Sequence, residues 1–339
     1  MSRSWRWSAR VALVMMAGVG GGAACSNNGS GENNTSGNNT TATNNTTGGT
    51  NTTGETNTTT GGTTNNTTPP PSEGTFSLLT YNVAGLPAAL SGSEPDRNQP
   101  VISPLLNSFD VILAQEDFYY HHLLTKDLDE AYFRGQTWYE AKGYNEPKLV
   151  DLGDGLFRAS RYELGPVDRV AWSDCNGDAT SCASDCLATK GYSFSELKLP
   201  GDRVIHVYNI HKEAGGCPKD DEIRAEGVEQ LIGELQTRSA GKTVIIAGDY
   251  NLHVDSAEDP QDRVTFQRLI DGGALTDVCW QLECGDERID RIVYKNGEGV
   301  TLEPTRWWVP EAFVWPEDGS DLSDHKPVAA SFTWRAATP

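Results

Sequence analysis

Carboxylates, amides and imidazoles recur at the ends of apolar runs in this chain, where burial alone has no use for them. The run Phe109-Asp110-Val111-Ile112-Leu113-Ala114-Gln115 ends in Glu116. A hard cation such as Mg²⁺ takes oxygen ligands and keeps several waters, so one or two carboxylates suffice, and Glu116 is the candidate ligand. Thr243-Val244-Ile245-Ile246-Ala247 leads into Gly248-Asp249-Tyr250-Asn251. Strand side chains alternate with period two, so Asp249 and Asn251 leave on one side. A carboxylate beside an amide suits a nucleophilic water and a phosphoryl oxygen. Val207-Tyr208-Asn209-Ile210-His211 repeats that spacing, and a protonated His211 would stabilise developing negative charge. Ser323-Asp324-His325 precedes the last apolar run. His325 can take a proton from water if a carboxylate on its other nitrogen fixes the tautomer, and Asp290 is the candidate partner. Asp324 would add a second metal contact. Tyr81-Asn82 and Ser160-Arg161 complete a set of seven polar words. Singly they read as a solvated strand-end carboxylate, an Asx turn or a structural histidine. Together they point to metal-assisted hydrolysis of a phosphate ester.

In this order the residues resemble the endonuclease/exonuclease/phosphatase (deoxyribonuclease I-like) superfamily, over essentially all of residues 75 to 334. The resemblance implies an α/β fold, a four-layer sandwich of two packed, mainly antiparallel sheets flanked by helices, with the site at one end. It implies Mg²⁺, or Mn²⁺ or another divalent ion in its place, at Asn82 and Glu116. It puts Asn209 and Asn251 on the phosphate, His211 at the transition state, Asp249 on the attacking water, and Asp290 behind the general base His325. Cys186-Leu187-Ala188-Thr189-Lys190-Gly191-Tyr192-Ser193-Phe194 resembles a stretch of bacterial neutral sphingomyelinases, and Cys217 after His211 looks like theirs. Those enzymes carry an aromatic membrane-docking hairpin where this chain has Arg306-Trp307-Trp308-Val309-Pro310, Phe313 and Trp315. Exposed, these rings would suit a membrane interface; buried, they are core. Tyr119-Tyr120-His121-His122 reads as a helix start with exposed histidines, or as part of a substrate pocket.

The elements that must hold these words are legible as buried runs bounded by turns. Strands are expected at Phe76 to Val83, Phe109 to Ala114, Arg203 to Ile210, Thr243 to Ala247, Asp290 to Tyr294 and Val328 to Trp334. Val228, Leu231, Ile232 and Leu235 give one apolar face to a helix from Asp221 to Arg238. A shorter helix is expected at Val264 to Ile270, stopped by Gly272-Gly273.

Residues 1–25 read as an export signal of lipoprotein type: Arg3, Arg6 and Arg10, a short apolar stretch, then Gly22-Ala23-Ala24-Cys25, where Cys25 would carry a lipid anchor. Residues 26–74, nearly all Asn, Thr, Gly and Ser, bury too little to order themselves and read as a tether. Residues 75–339 form the catalytic domain. The acidic and basic residues before it balance, so it carries the whole net charge of −20. That surface repels a polyanion, making nucleic acid the less favoured partner and a phosphate ester at a membrane surface the more favoured one. Its six cysteines, an even number in an exported protein, suggest disulfides. Cys279 and Cys284 are expected to staple a short loop, and Cys217 to reach back to the Cys175–Cys186 segment. The expected product is a monomeric, exported Mg²⁺-dependent phosphodiesterase acting on a phospholipid such as sphingomyelin, either lipid-anchored at the cell surface or outer membrane or secreted. Extracellular nuclease and inositol phosphate phosphatase are the alternatives.

Overall fold

Two sheets pack face to face. The computed structural model describes residues 70–145, 152–177, 186, 188–257, 259–285 and 288–337, so the expected signal and most of the tether lie outside the described residues. In chain order the strands are β1 (Glu73–Asn82), β2 (Val111–Gln115), β3 (Phe133–Arg134), β4 (Phe157–Ser160), β5 (Glu163–Leu164), β6 (Asp168–Ala171) and β7 (Gly191–Leu199). There follow β8 (Arg203–His211), β9 (Val244–Asp249), β10 (Thr276–Asp277), β11 (Asp290–Lys295), β12 (Val300–Trp308) and β13 (Val328–Ala336). One sheet runs β12-β13-β1-β2-β4-β3 and the other β10-β11-β9-β8-β7-β5, with β6 on β7. Among these strands, β1 with β2 and β8 with β9 pair in parallel; their other pairings are antiparallel, as expected.

Each parallel pair needs a crossover, and a helix supplies it. α1 (Pro95–Leu105) joins β1 to β2, and α2 (Pro218–Thr237) joins β8 to β9. α3 (Pro260–Gly273) packs beside α2. All three open with Pro in the first turn, where its missing N–H costs nothing. α2 buries Ile223, Val228, Leu231, Ile232 and Leu235, the expected face. The apolar residues divide into three clusters: one between the sheets, including Leu78, Val207, Ile245 and Phe332; one between the second sheet and α2 and α3; and one on the outer face of the first sheet, with Ile102 of α1. That layering explains why β9 is buried along its whole length and reads as an unbroken apolar run.

The expected strands are present, with their ends displaced by at most three residues. β1 begins at Glu73, inside the stretch read as tether, because Glu73 and Gly74 pair with Arg335 and Trp334. β3, β4, β5, β6, β7, β10 and β12 are additions. β12 holds Trp307 and Trp308, for which core and membrane interface were both open readings, and its neighbourhood supports core packing. Trp307 packs against the inter-sheet core. Trp308 stacks on Phe109 with centroids 6.1 Å apart, beneath Arg306. Phe313 is buried edge-on to Tyr81. Trp315 donates to Asn98 Oδ1 at 3.0 Å, with the Arg97 guanidinium 4.0 Å from its ring. Phe313 is thus core, while Trp307, Trp308 and Trp315 are half-buried against it. Among the described residues, the exposed large apolar side chains are Phe133, Tyr144 and Val264. No helix of the described residues is long and apolar enough to cross a membrane.

Cys279–Cys284 forms the expected staple, and Cys175 pairs with Cys186. Cys217 is disulfide-bonded, and the partner expected in the preceding segment lies outside the described residues.

Candidate active site

Strand register brings the words together. Asn82 lies opposite Gln115 at the end of the parallel β1–β2 pair, so Glu116 follows it directly. His211 lies opposite Asp249 at the end of the parallel β8–β9 pair, and Asp290 opposite Asp249 on the other side. Val328 pairs with Thr80, which places His325, three residues earlier, beside Asn82. Ser323 Oγ donates to the Asn82 carbonyl at 2.7 Å and accepts from the His325 N–H at 3.2 Å, tying the last word to the first.

At the centre, Asn82 Nδ2 donates to Glu116 Oε1 at 3.0 Å and to Asp249 Oδ2 at 3.2 Å, and lies 3.4 Å from His325 Nε2. His325 Nδ1 is 2.7 Å from Asp290 Oδ2, and its Nε2 is 3.8 Å from Asp249 Oδ2. His211 Nε2 is 3.5 Å from Asp249 Oδ2 and 3.9 Å from Glu116 Oε1. Glu116, Asn251 and Ala84 all have φ near +50°, the left-handed region where non-glycine residues are strained and which clusters at functional sites. Gly248 permits the close approach of β9 to β8: a Cβ there would lie 2.0 Å from the Ile210 carbonyl oxygen.

The electrostatics follow from burying acids together. Burial lifts the Glu116 carboxyl above its usual range, the Asn82 hydrogen bond opposes this, and the Asp324 charge adds to it. Burial likewise pushes Asp249 up to about 7, with the Asp290 charge adding and the His325 charge opposing. For His325, burial favours the neutral ring, but the charges of Asp290 and Asp249 and the Asp290 hydrogen bond hold it well above its ordinary value. His211 goes the other way. Burial, then the charges of Lys190 and His325, push it well below its usual value. These surroundings favour the neutral ring over the protonated one expected for His211.

Asp249, Asp290 and His325 each offer a ligand atom within 4.8 Å of one another. His325 Nδ1 is already engaged by Asp290 Oδ2, so the trio reads better as a histidine–carboxylate pair beside an acid. Around Glu116 the donors are oxygens: its own carboxylate, Asp249, and the exposed Asp324 whose charge acts on it. Asp290 Oδ1 is buried without a partner among the described residues. This oxygen-rich, mutually repelling set fits a hard divalent cation such as Mg²⁺. Asn82 as placed presents Nδ2 to the acids, while its Oδ1 accepts from the Ala84 N–H at 3.1 Å. To ligate a cation its amide must turn over.

Three expectations fall elsewhere. Asn209 shares a face with His211 but sits one pair deeper, fully buried between the sheets. Its Oδ1 accepts from Gln115 Nε2 at 2.7 Å, and its Nδ2 donates to the carbonyls of Ala114 at 2.9 Å and Phe157 at 3.0 Å. Both amide hydrogens are engaged, so as placed Asn209 ties the sheets together. Replacing it with alanine strands Gln115 and two carbonyls, each costing about 1–3 kcal/mol when unmet. Urea unfolding should register a loss of roughly 2 kcal/mol or more, while the Mg²⁺ requirement stays unchanged. Ser160-Arg161 lies at the wrong end, because β4 runs antiparallel to β2 and Ser160 pairs with Val111, at the start of that strand. In Tyr119-Tyr120-His121-His122 a short helix does begin at His121, and His122 is exposed. His121 is not: its Nδ1 pairs with Asp117. Asn251 is half-buried, with its N–H bonded to Asp249 Oδ1 and its Nδ2 to the Lys212 carbonyl, each at 2.9 Å.

Lys190 is the site residue missing from the expected set. It is buried just before β7, and its charge acts on Glu116, Asp249 and His211. The Lys190-Gly191 pair within the sphingomyelinase-like stretch was the available signal.

Residues 79–325 match the Endonuclease/Exonuclease/phosphatase family, and the chain belongs to it. The name joins endonucleases, exonucleases and phosphatases, all of them hydrolases of phosphoric esters. Among curated relatives, a sphingomyelinase of Mycobacterium bovis is 32% identical over 280 residues, covering 78% of this chain and 54% of that protein. The chain thus spans about half the length of that relative. Solved structures share the fold. Sphingomyelinase C from Streptomyces griseocarneus superposes with a TM-score of 0.54 at 18% identity, covering 76% of this chain and 99% of its own. A mutant beta toxin from Staphylococcus aureus with bound magnesium ions gives 0.54 at 16%, covering 75% and 98%. D. rerio TDP2 with a single-strand DNA product gives 0.53 at 16%, covering 76% and 98%.

Proposed function

We propose that this chain is an exported phosphodiesterase that hydrolyses the headgroup ester of a phospholipid, sphingomyelin foremost, with the help of a divalent cation such as Mg²⁺. The observation that carries the reading is the His325–Asp290 pair, whose Nε2 lies 3.4 Å from Asn82 Nδ2 and 3.8 Å from Asp249 Oδ2. Glu116 and Asp324 would hold the cation, with Asn82 joining if its amide turns. When bound, the cation neutralises charge on the phosphoryl oxygens. Asp249 orients the attacking water. His325 Nε2 takes its proton, and Asp290 steadies the imidazolium that forms. Lys190, Asn251 and neutral His211 supply positive charge and hydrogen bonds to the phosphoryl group as its charge builds.

The mycobacterial sphingomyelinase supports the lipid substrate, and the magnesium-bearing toxin structure supports the ion. The disulfides support export. A nuclease is the second reading, favoured by the DNA-bound neighbour and opposed by the net charge of −20. Incubating the full chain and Mg²⁺ separately with sphingomyelin vesicles, plasmid DNA and inositol phosphates decides. Phosphocholine release from vesicles alone is expected; nicked plasmid with inert vesicles would reverse the order. The anchor proposed at Cys25 predicts fatty-acid labelling that Cys25→Ser abolishes.

The same assay tests the tryptophans. Because Trp307 and Trp308 pack on core residues, changing both to alanine should cost up to about 3 kcal/mol each and lower turnover equally on vesicles and on a small soluble diester. Loss confined to vesicles would return these rings to the membrane.

A further inference from the structure

Gln99 in α1 is fully buried, yet neither atom of its amide has a hydrogen-bond partner among the described residues. A buried amide with nothing to bond is costly, and an apolar side chain of similar size would avoid that cost. Its place suggests why it is there. The amide abuts Gly85: a Cβ on Gly85 would lie 2.8 Å from Gln99 Nε2 and 2.2 Å from the Glu116 carbonyl oxygen. The Gly85 N–H donates to that same oxygen at 3.0 Å. Ala84 and Glu116, the residues flanking this contact, are both left-handed, with φ of 47° and 57°. Gln99 therefore backs the point where the two strained turns of the cation site meet. Its neighbours Arg97 and Asn98 grip Trp315 in the loop that leads to His325. Three consecutive residues of one helix thus reach both halves of the site.

We propose that Gln99 is a positioning residue for the Glu116 carboxylate, its amide engaging the Gly85–Glu116 turn pair when a divalent cation draws that carboxylate into place. A turn of either peptide toward α1 would present a carbonyl to Nε2 or an N–H to Oε1. The inference rests on the reading of Glu116 as a cation ligand.

Gln99→Leu separates this role from packing. Thermal unfolding of the full chain is followed across a Mg²⁺ titration, alongside the Mg²⁺ concentration for half-maximal turnover. The expected metal-free midpoint equals or exceeds the parent's, since an unmet amide is removed. The Mg²⁺-induced rise should shrink by at least half and the half-maximal concentration should climb three- to tenfold. Gln99→Met, unbranched and of similar length, should behave alike and serves if leucine does not fold. An unchanged Mg²⁺ response in these variants would overturn the proposal, as would a fall in metal-free midpoint matching the lost response. A parent chain indifferent to Mg²⁺ would remove the cation reading and this one together; a responsive parent with equally responsive variants would remove this one alone.

Discussion

His325→Ala should lower turnover on the order of 10²- to 10⁴-fold, the range that a positioned general base contributes. The chain should stay folded, because the ring sits at the rim of the site and its loop is held by Ser323. The pH behaviour is the sharper readout. Despite burial, Asp290 and Asp249 hold the His325 ring well above its ordinary value. A base must be neutral to accept a proton, so activity of the parent should rise with pH as this ring deprotonates. A cation near Glu116 opposes the imidazolium, so that acid limb should move to lower pH as Mg²⁺ is raised. A group raised on folding stabilises fully below its unfolded value, and the benefit fades as pH rises through its folded value. His325→Ala should therefore cost more stability near pH 6 than near pH 9. A variant that retained substantial turnover, or kept the parent's acid limb, would place the base elsewhere.

Much of this arrangement was legible because strands buried on both faces leave few reasons for a polar residue at their ends. Val244–Asp249 is the clearest case. What stayed hidden has physical causes. α1 contains Pro100 and Pro104, residues that ordinarily argue against a helix, so the element carrying Gln99 showed no periodicity to follow. β12 contains Pro304 beside a register shift, which an edge strand tolerates and a sequence pattern does not reveal. Alternation assigns a side chain to a face but not to a depth. It put Asn209 and His211 together correctly, yet only the first sheet, reaching in with Gln115, decides that one ties layers while the other meets the acids. Ser160 failed for a related reason, since a run's direction within its sheet is set by its partner. His211 looked like a cation in waiting because neither its complete burial nor the nearby positive charge of Lys190 can be read from spacing.

Glu116→Gln is the second large effect, and it tests the cation independently of the substrate. The change keeps the shape and the contact to Asn82 but removes a charge that several acids already strain against. A bound divalent ion supplies several kcal/mol of charge stabilisation, about a hundred- to a thousandfold in rate, so turnover at moderate Mg²⁺ should drop by that much. Stability should move the other way. Glu116 and Asp249 are both raised by burial, Asp249 to about 7, so the metal-free parent should lose stability as pH rises through that region. Removing one acid relieves part of the repulsion, so metal-free Glu116→Gln should melt higher than the parent at pH 8 and nearly level with it below pH 5. Mg²⁺ should invert the ranking. Cation binding displaces protons from raised carboxyls, so the parent's gain in melting temperature should be larger at pH 8 than at pH 6, whereas the variant should gain little at either. Calorimetry that found equal Mg²⁺ gains in the two chains would remove Glu116 from the cation site, leaving the His325–Asp290 pair to be explained without it.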